Sequence, residues 1–194
     1  MKNDRKVPGM LYMFVSFVPW ILYWTLCSID YKLGVTIPLA ISLILLVPQI
    51  RNRDFNPLDV ASLLYFSVAT AATFIFGLDI FVEKSGFLGY FTLFLMALLS
   101  IIIKRPFSFQ VAKRDYPEVY WREKSFLMIN NVITSVWMII FAINAVMFLI
   151  LSKPLTAALS ITLIALGMAF SIVFPLEAPA YFATKEFKLS LIHI

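Results

Sequence analysis

An all-α fold, a polytopic bundle of six transmembrane helices with both chain ends on one side of a membrane, is predicted by three observations. Hydrophobic residues make up 61% of the 194-residue chain and charged residues only 14%, against roughly 45–50% and about 25% in soluble domains. The apolar residues fall in six continuous runs, each close to the ~20 residues that cover a hydrocarbon core of about 30 Å. The Lys and Arg residues gather in alternate connections between those runs. Continuous rather than alternating hydrophobicity selects helices over a barrel, because each segment must satisfy its own backbone in hydrocarbon.

The first run, residues 10–27, follows a short charged leader and carries Pro19, Trp20 and Trp24. No small-residue cleavage site precedes Asp30, so a retained helix is expected instead of a removed signal peptide. The second run, 33–50, carries Pro38 and Pro48. Proline removes a backbone hydrogen bond and tends to bend a helix, which predicts a bent outer pair. The third run, 60–80, has Asp59 and Asp79 at its two ends, roughly 30 Å apart at the helical rise, and both are expected as interfacial residues. Its small, weakly polar stretch from Ser67 to Thr73 suits close helix packing. The fourth run is 87–103.

The connection 104–125, KRPFSFQVAKRDYPEVYWREKS, interleaves six basic and three acidic residues with Phe107, Phe109, Tyr116, Tyr120 and Trp121. Half-buried rings and cations suit the headgroup layer, where they meet anionic lipid. Lys104, Arg105, Lys113, Arg114, Trp121 and Arg122 are therefore the candidate lipid- or partner-facing residues, beside the plainer role of fixing topology.

The fifth run, 126–151, is the polar one. Asn130, Trp137 and Asn144 recur at intervals of seven, within about 40° of one another at 100° per residue. Asn131, Thr134 and Ser135 widen the stripe. Two uses are open: interhelical hydrogen bonding, and a polar pocket for a headgroup or small ligand built on Asn130, Asn131, Thr134, Trp137 and Asn144. The sixth run, 155–174, contains Ala165, Gly167, Ala169 and Ser171, small residues at spacings that let a neighbouring backbone approach. The last six residues, 189–194 (LSLIHI), match the translation of a transposon end used as a sequencing adapter. A single membrane domain over 1–188 is expected, with 189–194 as a non-native tail that includes His193.

Orientation follows from charge, since short loops rich in Lys and Arg stay cytoplasmic. Lys2, Arg5 and Lys6, Arg51 and Arg53, the six basic residues of 104–125, and Lys185 and Lys188 all fall on one side, leaving only Lys32, Lys84 and Lys153 on the other. Six spans put both termini on the basic side, so the expected location is the plasma or inner membrane with cytoplasmic termini. The formal net charge of +5 is accounted for by topology and gives no basic face for nucleic acid.

Several chemistries lack their residues. One histidine and one cysteine, Cys27, supply neither haem ligands, a transition-metal set, a disulfide framework nor a triad base. Six glycines form no phosphate loop. No cofactor or metal is expected, and the scarcity of acid and base groups inside the spans points away from an enzyme; Asp115 and Glu118 are the groups on which an activity would have to rest. Lipids are the expected partners, and the small-residue faces leave homo-oligomerisation open.

Arg51 and Arg53 after the second run, Lys104, Arg105, Pro106 and Phe107 after the fourth, and the Asn130 or Asn131, Trp137, Phe141, Asn144 series in the fifth resemble the intracellular septation protein A family of YciB-type inner-membrane-spanning proteins. The likeness covers residues 33–151. It implies a multi-pass protein without catalytic residues, acting as a scaffold beside other membrane proteins of cell-envelope or septum assembly. The polar fifth run keeps a small transporter or lipid-binding protein as the alternative.

Overall fold

The computed structural model describes the backbone of residues 8–192 except 152, and the side chains of 8–151 and 155–177. The expected tail at 189–194 has no described side chains, its last two residues lie outside the described residues altogether, and so do Lys2, Arg5 and Lys6. The chain is helical, with no strand among the described residues. Among the described residues, six helices are long and apolar enough to cross a membrane.

Helix α1 spans Gly9–Leu26, and α2, Tyr31–Asn52, begins one turn later, where the Asp30 carboxylate accepts hydrogen bonds from the Lys32 and Leu33 amides. Such a cap satisfies amides that have no partner within the helix. Both helices run through their prolines without a break. Arg53 adopts a left-handed conformation that ends α2, and Asn56 caps α3, Pro57–Ile75, with Pro57 in the first helical position, where its missing amide costs nothing.

Helix α3 stops five residues short of the expected residue 80. Gly77 turns the chain at φ +62°, and a short α4, Ile80–Glu83, leads into α5, Ser85–Ile102. Left-handed backbone of this kind suits glycine. The connection 104–125 is also structured: it holds α6, Phe107–Ala112, and a 3-10 turn, Glu118–Arg122, each preceded by a proline. The polar α7 spans Lys124–Ile150, and α8 covers Lys153–Ile192, running well past the expected end at 174.

Up-and-down connectivity brings the start of α1, the α2–α3 turn, α6, the 3-10 turn and the start of α7 to one end of the bundle. Lys104 to Lys124 and Arg51 and Arg53 share that end, here called the basic end. The core is aromatic. Trp20 packs on Trp24, Tyr65 and Phe66, and Trp24 stacks on Tyr90, which in turn stacks on Phe148. Polar tips inside this core are paired: Trp20 Nε1 donates to Ser62 at 2.7 Å, and Tyr23 shares a 2.7 Å bond with the Tyr65 hydroxyl.

Helices α5 and α7 pack along each other, while α8 lies chiefly on α7. There the sequence's small residues act as expected: Gly167 sits against Ile140 and Trp137, where a Cβ would meet Ile140 Cδ1 at 2.6 Å. Leucine, isoleucine and valine side chains on the outer faces of α2, α3, α5, α7 and α8 are exposed, Ile44, Leu64 and Ile161 among them. Such an apolar belt accompanies the six helices of membrane-spanning length.

Candidate functional site

At the basic end, α1, α6, the 3-10 turn, α7 and α8 surround a cavity of about 560 Å³, within the range of about 300–1,000 Å³ typical of small-molecule sites. Met10 and Met13 of α1, Ile129 and Ile133 of α7, and Ile172 of α8 form apolar walls. Asp115, Tyr120 and Glu123 stand at its exposed rim, whereas Ser108 and Asn130 line it from buried positions. The result is an apolar chamber with a polar mouth.

Local structure sets each of these groups. Pro106 starts α6 and delivers Ser108 against α7, where its hydroxyl lies 2.9 Å from the Asn130 carbonyl, 3.1 Å from Asn130 Oδ1 and 2.9 Å from the Thr134 hydroxyl. Asn130 Nδ2 donates to the Phe126 carbonyl at 2.8 Å. Asp115, just beyond α6, accepts a 2.8 Å bond from the Gly9 amide and so closes the rim onto the first turn of α1, where a carboxylate also complements the helix dipole.

The predicted polar stripe does not converge on one point. Asn130 lines the cavity, and Thr134 stands behind it through Ser108. Trp137 donates to Ser171 at 2.9 Å, and Ser171 lines the cavity from α8. Asn144 lies about 21 Å along the helix from Asn130, fully buried, with Nδ2 on the Ile140 carbonyl and Oδ1 without a hydrogen-bond partner. Asn131 is half-buried outside the cavity lining, and its Oδ1 also finds no partner. Asn130, Thr134 and Trp137 therefore hold α7 to α6 and α8, while Ser135 and Asn144 bond to carbonyls of α7 itself.

The six candidate residues of the basic connection divide in two. Lys113 reaches Asp54 at 3.4 Å and lies 4.7 Å from the centre of the Trp121 ring, while the Trp121 indole donates to the Tyr116 carbonyl. Arg114 places its guanidinium 3.4 Å above the Tyr12 ring. These three fold the connection onto the bundle. Lys104, Arg105 and Arg122 are exposed and face outward; Arg105 borders a second, shallower depression beside Asp54.

Asp59 is the residue that sequence reasoning missed. Expected as an interfacial residue, it lies in the first turn of α3 and is enclosed by protein, only 1% exposed. The Tyr12 hydroxyl at 2.6 Å, Gln49 Nε2 at 2.6 Å and Asn56 Nδ2 at 3.3 Å all donate to its Oδ2 oxygen. Gln49 Oε1 in turn accepts from the Asn56 backbone N–H at 2.7 Å. Gln49, late in α2, could have signalled this as a polar residue inside an apolar run, but its partner comes from the next helix.

Comparison of the chain with protein-family models, with curated proteins and with solved structures gives no match.

Proposed function

We propose that this chain is a multi-pass protein of the plasma or inner membrane, with both termini cytoplasmic, that binds a lipid or a small amphiphile at its basic end. The observation that carries the reading is the cavity between α1, α6, α7 and α8, which joins apolar walls to a rim of Asp115, Tyr120 and Glu123. An amphiphile's tail would be removed from water along Met13, Ile129 and Ile133, at about 25 cal/mol for each Å² of apolar surface covered. Its head would meet the hydrogen-bonding groups of the mouth. The distribution of Lys and Arg supports the orientation, which sets this mouth at the cytoplasmic face. Native mass spectrometry of the purified protein tests the reading. Retained amphiphile is expected on the wild type and lost on Ile129→Trp, which fills the chamber; equal occupancy in both proteins would contradict it.

A second reading is favoured by the exposed face of the 3-10 turn, where Val119 is 71% exposed beside Tyr116, Tyr120 and Arg122. In it the chain is a scaffold for membrane proteins of envelope or septum assembly, as the family likeness implies. Arg122→Glu together with Val119→Asp should then remove a partner that co-purifies with the wild type. Arg114 is unsuited to this experiment, because its contact with Tyr12 makes it part of the fold.

A further inference from the structure

We propose that Asp59 is the anionic ligand of a buried site for a small alkali-metal cation, set among α1, α2 and α3 near the basic end. All three donors that reach this carboxylate, from Tyr12, Gln49 and Asn56, converge on Oδ2, and Oδ1 has no hydrogen-bond partner. Oδ2 is occupied by three donors, and Oδ1 presents its lone pairs to a buried interior where no donor meets them. A buried charge of this kind is stable when paired or when it coordinates a cation.

Protein cations do not fill the role. Among the described residues the ion pair formed is Lys113 with Asp54, and Arg114 lies over the Tyr12 ring. Nor do the described residues hold any group of three His, Cys, Asp or Glu side chains that could bind a metal ion, so a transition-metal set is not available. One carboxylate with neutral oxygens is instead the donor set of a hard cation carrying a single charge.

One neutral oxygen is at hand. Ser16 of α1 and Ser42 of α2 are buried, and neither hydroxyl has a hydrogen-bond partner. Tyr12 and Trp20 stand one turn on either side of Ser16 and bond Asp59 and Ser62 of α3. That register puts Ser16 on the stripe facing α3, between those two residues. Ser42 precedes Gln49 by seven residues, about 10 Å farther along the axis of α2, too far to ligate the same ion. An ionisable residue so enclosed within spanning helices is a functional site by default, and this one does not depend on the cavity.

The test is thermal unfolding of the detergent-purified protein as NaCl or KCl replaces choline chloride at constant ionic strength. A saturable rise in Tm with Na⁺ or K⁺ is expected in the wild type. It should be absent in Asp59→Asn, whose amide keeps the shape and removes the charge, and intact in Ile129→Trp. In Ser16→Ala the midpoint cation concentration should increase by roughly tenfold or more, the order lost when a metal site's supporting group is removed. No cation-specific rise in the wild type would overturn the proposal, as would an undiminished rise in Asp59→Asn. If Asp59→Asn does not fold, an unchanged midpoint in Ser16→Ala overturns it instead.

Discussion

The hydroxyl of Tyr12 donates to the carboxylate of Asp59 across 2.6 Å, tying the first turn of α1 to the first turn of α3, while Arg114 covers the other side of the same tyrosine ring. One side chain thus joins the bundle to the connection that roofs the cavity. Tyr12→Phe keeps the ring and removes the donor, so it should cost about 1.5–3 kcal/mol, the range for a hydrogen bond to a charged group. Chemical denaturation in mixed micelles measures this; a loss below about 0.5 kcal/mol would mean that the bond is not made.

Gly34 marks where α2 crosses the end of α1. A Cβ there would lie 2.7 Å from the Cys27 amide nitrogen and 2.8 Å from Cys27 Cα. Backbone cannot swing aside as a side chain can. Gly34→Ala should therefore destabilise by about 1–3 kcal/mol, the cost of overpacking, and lower the yield of folded protein on size exclusion. Wild-type behaviour would place α1 and α2 farther apart than described.

Ser171 is the acceptor for Trp137 and donates to the Gly167 carbonyl, so it links α7 to the sparsely packed α8. Ser171→Ala should cost about 0.6–2 kcal/mol and speed proteolysis within α8. Trp137→Phe also empties part of a buried, packed site and so costs more in either background, but its cost should be smaller once Ser171→Ala is present, by the one bond the two residues share. Full additivity in that double-mutant cycle would exclude the contact.

Helix existence was legible because an apolar run of bilayer length has few alternatives, and all six expected runs coincide with helices. Boundaries were less so. Hydropathy carried the third run through Phe76, Gly77 and Leu78, although the glycine was a visible stop. In 104–125 the many charges hid two short helical segments whose starts were marked by Pro106 and Pro117. Spacing of seven correctly put Asn130, Trp137 and Asn144 on one buried face of α7. It could not reveal that their partners are Ser108, Ser171 and α7's own carbonyls, because those pairings depend on which helices meet. Asp59 was opaque for the same reason: three residues from two other parts of the chain and its own capping turn enclose it.

Six apolar helices crossing a bilayer, with the basic end inside the cell, are the premise on which the proposed binding site rests. Lys84 and Lys124 are exposed at opposite ends of the bundle, so each is replaced by cysteine in a Cys27→Ala background and treated with a membrane-impermeant maleimide on intact cells. Lys84→Cys is predicted to label at once, and Lys124→Cys only after the membrane is opened. Immediate labelling of Lys124→Cys, with Lys84→Cys protected until permeabilisation, would contradict it.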